Sequence, residues 1–183
     1  MMSDLTYTGV SARSKGVRIK SIKRPLLANM RQQYEDIAGR HGSYSFSDGT
    51  LEDITIDVEC WVAASNREDL RYTARQIAAW LYSKEKQRLT FSDEPCVFYL
   101  ARIANQIDPE TLIQHELFTL QFRCDPFAYA VQERVDRQII SNSAHRFAIQ
   151  TDGTAPTPPI ISVKNIGSTV LNGFTLTIET EID

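Results

Sequence analysis

Three cysteines, Cys60, Cys96 and Cys124, are all the thiol that this chain of 183 residues carries, and no two stand in Cys-x-x-Cys spacing. An odd, widely spaced set excludes a disulfide framework as the basis of the fold and leaves no paired thiolates for a zinc site. Each cysteine lies in or beside an apolar stretch, so the expectation is three buried, reduced thiols and assembly in a reducing compartment. No apolar run approaches the ~18 residues that a membrane span needs. Met1-Met2-Ser3-Asp4-Leu5 lacks the basic start and apolar core of a secretory signal. A soluble protein with no membrane contact is expected. Positive charge is also scarce, since 20 Lys and Arg stand against 23 Asp and Glu for a net charge of −3. Holding a phosphate backbone needs a basic excess, so tightly bound nucleic acid is disfavoured. DNA that merely passes by would suit a weakly acidic surface.

The usual constellations of catalysis are missing too. His41, His115 and His145 fall in three different elements, and His115-Glu116 is not followed by a second histidine at helical spacing. There is no Gly-x-Ser-x-Gly elbow and no glycine-rich loop ahead of a Lys-Ser/Thr pair. Paired carboxylates can be far apart in sequence, but the acids here sit mainly on polar strand faces, where solvation is the default role. The expectation is a non-enzymatic protein with no catalytic residue, no cofactor and no metal.

What is present is mostly strand. Ile54, Ile56, Val58, Cys60 and Val62 alternate with polar neighbours, the period of two that marks one buried face. Glu116 to Cys124 alternates in the same way until Asp125-Pro126, where proline ends a ladder. Arg88–Phe91, a turn at Ser92-Asp93-Glu94-Pro95 and a strand over Val97–Ile107 lie between. Met30 to Ile37 reads as an extended stretch, polar on both faces, ending at the turn Gly39-Arg40-His41-Gly42. A single helix is predicted from about Arg67 to Tyr82. Ser65 or Asn66 would cap it, Glu68 and Asp69 would occupy its first turn, and Leu70, Ala74, Ile77, Ala78 and Leu81 would form its apolar stripe. One helix cannot supply the crossovers of a parallel sheet, so an antiparallel sandwich-like domain with the helix packed on it is expected.

One local charge anomaly stands out. Residues 13–24 hold six basic side chains and no acid. A half-buried edge strand protected by its charges is the plainest account. A nucleic-acid or lipid patch is a second, although no aromatic interleaves the run. The third is a subunit interface in which Arg13, Lys15, Arg18 and Lys20 meet an acidic strip made of Glu52, Asp53, Asp57 and Glu59. The chain is expected to divide near residue 140. A short β segment or truncated second domain would follow over 141–183, with a proline-rich connector at 152–159 and strands at Ile160–Asn165 and Phe174–Ile182. About 40 residues bury too little apolar surface to stand alone.

Three blocks carry a resemblance. Ile37-Ala38-Gly39-Arg40-His41-Gly42 resembles the Ile-Pro-Gly-Arg-Asn-Gly turn of phage distal tail proteins, with Ala38 in place of the usual Pro and His41 in place of Asn. Leu89 to Pro95 followed by Tyr99-Leu100-Ala101-Arg102 looks like a second stretch of that family. Phe122-Arg123-Cys124-Asp125-Pro126-Phe127 is similar to a third. The blocks occur in family order over about residues 15–130. The resemblance implies a sandwich-like N-terminal domain that assembles as a six-fold ring at the tail tip of the virion, after synthesis in the host cytoplasm. Its partners would be further copies of itself, the tail tube protein and the tail-tip hub, with DNA passing through unbound. Two other functions fit less of the pattern: another tail component, such as a tube or completion protein, and a carbohydrate-binding module in which Trp61, Trp80 or Tyr99 stacks on sugar.

Overall fold

The computed structural model describes residues 3–62, 67–107, 117–141, 145–150 and 153–179. The chain divides into two compact units, Met1–Ile139 and Ile140–Asp183. In the first unit the strands are β1 (Leu5–Tyr7), β2 (Val10–Ser11), β3 (Val17–Lys23), β4 (Met30–Glu35), β5 (Tyr44–Leu51), β6 (Ile54–Val62), β7 (Gln87–Phe91), β8 (Glu94–Ile103), β9 (Leu117–Cys124) and β10 (Tyr129–Ala130). One helix, α1 (Arg67–Leu81), separates β6 from β7, and a 3-10 turn over Ala12–Lys15 leads into β3. The fold is mainly β, antiparallel, with one α-helix, as the patterning predicts. Among the described residues no helix is long and apolar enough to cross a membrane.

The main sheet runs in the order β2-β1-β7-β8-β9-β6-β3, with β10 on β8. Its centre is the β6–β9 pair, in register from Ile54 opposite Cys124 to Trp61 opposite Leu117. Ile56, Val58, Cys60 and Val62 of β6 and Leu120, Phe122 and Cys124 of β9 are fully buried on one face. The sheet curls so that its ends share this core. β1 stands three strands from β9, which is about 14 Å in a flat sheet, yet the rings of Tyr7 and Phe122 are 5.3 Å apart. Burying both inner faces on each other makes the domain sandwich-like.

The helix closes the curl. Leu70, Ile77, Trp80 and Leu81 are buried, and Trp80 Nε1 donates to the Tyr7 carbonyl at 3.0 Å. The stripe differs from the predicted one at a single position, because Ala78 is exposed and Trp80 faces inward instead. A small side chain such as alanine fits either face, whereas indole has a large apolar surface to bury and an N–H to satisfy. The predicted caps Ser65 and Asn66 lie outside the described residues, as do His115, Glu116 and the break at Asp108-Pro109.

Three further differences have local causes. The hairpin β1–β2 carries no clear pattern in the sequence; Thr8 and Gly9 both take positive φ, 54° and 79°, as a two-residue turn of this hand requires. β8 begins at Glu94 rather than Val97, since Ser92 and Asp93 alone form the turn and Phe91 pairs with Glu94. It stops at Ile103 because the Asn105 side chain takes over the ladder, donating to Thr119 O and accepting from Gln121 N. Cys60 and Cys124 are buried as expected, and desolvation pushes both thiols up to about 12. Cys96 is exposed, because it stands near the outer start of β8 rather than over the core.

In the second unit no strand is assigned among the described residues, although alternation predicts strands at 160–165 and from 174. Ile160, Val163, Phe174, Leu176 and Ile178 are exposed. Alternation gives a segment an apolar side, but a strand also needs a ladder partner for its N–H and C=O groups, and none is present there among the described residues.

Candidate assembly surfaces

β4 and β5 pair only with each other, in a separate two-stranded sheet. Every residue from Met30 to Thr50 is exposed, so the hairpin stands off the domain as an arm. Its length follows from the sequence. β4 and β5 are mostly Gln, Ser, Tyr and Thr, with no run of aliphatic side chains on either face to fold back onto the core. Gly39 and Gly42, at φ 83° and 81°, supply the turn. The register sets Glu35 opposite Tyr44, Tyr34 opposite Ser45 and Gln33 opposite Phe46. Tyr44 and Phe46 therefore share one face, with ring centroids 4.8 Å apart, while Tyr34 lies on the other. A bare two-stranded hairpin is marginal in water, and this one leaves aromatic side chains exposed on both faces.

The arm is anchored firmly at its root. On the β4 side, Arg24 forms ion pairs with Asp93 and with Glu94, and its guanidinium lies 4.6 Å from the centre of the Phe91 ring. Burial works against that charge, but the two carboxylates more than offset it and raise the Arg24 pKa. Asn29 O accepts from Glu52 N at 2.8 Å, closing the base of the hairpin. On the β5 side, Asp53 accepts from Lys86 at 2.8 Å and from Arg123 at 2.7 Å. The Lys86 hydrogen bond, opposed by partial burial and reinforced by Arg123, holds the Asp53 carboxyl below the usual range. Lys86 also reaches Asp125 at 2.5 Å.

The basic run lies on the edge strand β3 and the turn before it, and the acids lie on the neighbouring β6 and in the loop that precedes it. Arg13 and Lys15 sit in the 3-10 turn, and Arg18 and Lys20 lie on β3. Lys20 is the extra residue of a bulge between the pairs Ile19–Cys60 and Ser21–Glu59. Glu59 takes a hydrogen bond from Ser21 and lies 3.9 Å from Lys20 and 3.7 Å from Lys23. Asp57 stands opposite Lys23, and its Oδ1 is buried with no hydrogen-bond partner among the described residues. Glu52 is exposed at the arm root. Of the expected acid–base pairs only Lys20 with Glu59 is formed within one chain among the described residues. Arg13, Lys15 and Arg18 have no acidic partner at ion-pair distance among the described residues. Sequence reasoning missed the arm as a site; the signal was its polarity on both faces.

A sugar-binding platform is not assembled. Trp80 is buried under Tyr7, Trp61 is half-buried on β6, and Tyr99 packs edge-on against Phe91.

Residues 16–124 match the family described as the phage tail protein RIFT-related domain. No curated protein matches the chain. Among solved structures, the SPP1 Dit protein, described as a paradigm of the hub adsorption apparatus in phages that infect Gram-positive bacteria, shares the fold. The TM-score is 0.61 at 22% identity, over 71% of this chain and 52% of that one. This chain spans about half the length of that protein.

Proposed function

The chain belongs to the phage tail protein RIFT-related domain family, and from that premise we propose that it is a structural component of the phage tail tip. It forms a ring that joins the tail tube to the tail-tip hub and lets DNA through, and it acts by shape and contact rather than by catalysis. The observation that carries the reading is the arm: a hairpin exposed on both faces and bolted at its root to a rigid sandwich-like domain. Such an arm reaches a neighbour, and identical arms reaching identical neighbours close a ring. The net charge of −3 suits a passage for DNA, since each phosphate held would slow the moving duplex.

The test is to locate the protein in tails. Particles carrying a tagged copy, labelled and imaged by electron microscopy, should show label at the distal end only. Label along the whole tube would instead identify a tube component. A filter-binding titration with double-stranded DNA should show negligible affinity at physiological salt.

A further inference from the structure

Independently of the ring reading, the charges at the root of the arm point to a shared latch. We propose that the Lys86 ammonium fastens the arm root to β10, the last strand of the first unit, so that both are held or loosened together.

β10 has little else to hold it. Its two residues are exposed and pair with Phe98 and Val97 of β8. Beyond that pairing, Val131 N donates to Cys96 O at 2.9 Å, and the Tyr129 ring stacks on Phe98 with centroids 5.5 Å apart. So short a strand lies at the low end of local stability. On the arm side, Glu52 N donates to Asn29 O at 2.8 Å and closes the base of the hairpin, and Asp53 is the next residue.

The geometry around Lys86 makes the link. Ile54 stands opposite Cys124 at the end of the β6–β9 pair, and one step further the same register sets Asp53 against Asp125. Like charges facing each other across strands are destabilising. Here the Lys86 ammonium serves both, 2.8 Å from Asp53 Oδ1 and 2.5 Å from Asp125 Oδ1. The second oxygens have separate partners. Asp53 Oδ2 accepts from Arg123 Nε at 2.7 Å, and Asp125 Oδ2 accepts from the Tyr129 hydroxyl at 3.2 Å. Among the described residues, Lys86 Nζ is the one atom that both carboxylates contact. All three groups are about a quarter to a third exposed, so water and salt screen them only in part. Ordering the long Lys86 side chain costs entropy once, and both contacts offset it. Without the cation the two carboxylates face each other unrelieved. Asp125 then turns away, and Tyr129 loses the acceptor of its hydroxyl.

Hydrogen exchange of single amides in the full chain, read by NMR near neutral pH, supplies the test. Glu52 N–H reports on the arm root and Val131 N–H on β10. Ser92 N–H, bonded to Asp4 O at 2.9 Å, reports on an opening that leaves the latch intact. Lys86→Met should speed exchange about fivefold at both Glu52 and Val131, the factor expected of a partly exposed ion pair, with Ser92 unchanged. Adding Asp53→Asn to Lys86→Met removes the facing charge, so Val131 should slow again toward the parent. A response at only one of the two amides, or an equal response at Ser92, would overturn the latch. A double variant whose Val131 exchanges as fast as in Lys86→Met alone would overturn it as well, since the two carboxylates would then not act on each other.

Discussion

β6–β9 and β4–β5 are both antiparallel pairs of ordinary length, yet they are opposites in burial. The first puts Ile56, Val58, Leu120 and Phe122 out of water; the second leaves Tyr34, Tyr44 and Phe46 about half exposed. The backbone chemistry is the same in both. What differs is whether the side chains on one face have apolar area to remove from water, which is the term that stabilises a sheet. The domain therefore derives its stability from one pair, the other is the pair proposed above for association, and the two can be altered separately.

The largest effect should come from the domain side. Ile77 is 2% exposed beneath the sheet. Ile77→Asp buries an unpaired carboxylate at a cost of roughly 3–5 kcal/mol, a large share of the stability of a domain this size. Loss of soluble, folded protein by circular dichroism is expected, and an unchanged melting curve would show that the two regions are not divided as described.

Lys86→Met probes the bolt between them. Lys86 and Asp53 are about a quarter to a third exposed, so the loss at neutral pH should be about 1 kcal/mol. Its pH dependence is more telling. The Asp53 carboxyl is held low in the folded state, first by Lys86. The stability it contributes is fully present above the unfolded value of about 3.9 and is lost as pH falls through the lower folded value. The melting difference between parent and variant should thus be constant at mildly acidic and neutral pH and shrink below about pH 4. A difference that persists unchanged at pH 2–3 would remove this ion pair from the account.

The smallest effect on folding belongs to the arm. Tyr44→Ser with Phe46→Ser should move stability by about 0.5 kcal/mol or less, as exposed substitutions do, while self-association measured by light scattering falls. A large drop in melting temperature with association intact would reverse the comparison.

Strand and helix types, the helix from Arg67 and the tight turn at Gly39–Gly42 were legible in the sequence, because each follows from local period and turn chemistry. The alternation of Ile54–Val62 needs no partner to announce a buried face. Alternation failed as a guide after residue 160, where an apolar side exists without a ladder partner. It was silent at Leu5–Ser11, three and two residues being too few to show a period. The charged strip shows the same division. Composition revealed an excess of cations at 13–24, and the acids at 52–59 were visible as candidates. Their pairing was decided by strand order, which set β3 beside β6 and brought Lys20 and Lys23 to Glu59. Asp53 went to Lys86 and Arg123, far away in sequence. The chain by itself determined the longer strands of the first unit, its helix and the polar stretch at 30–37. Only the tertiary structure decided which charges would be spent inside the molecule and which left over, because ion pairing depends on distance in space, and the curl of the sheet, not the sequence interval, sets that distance.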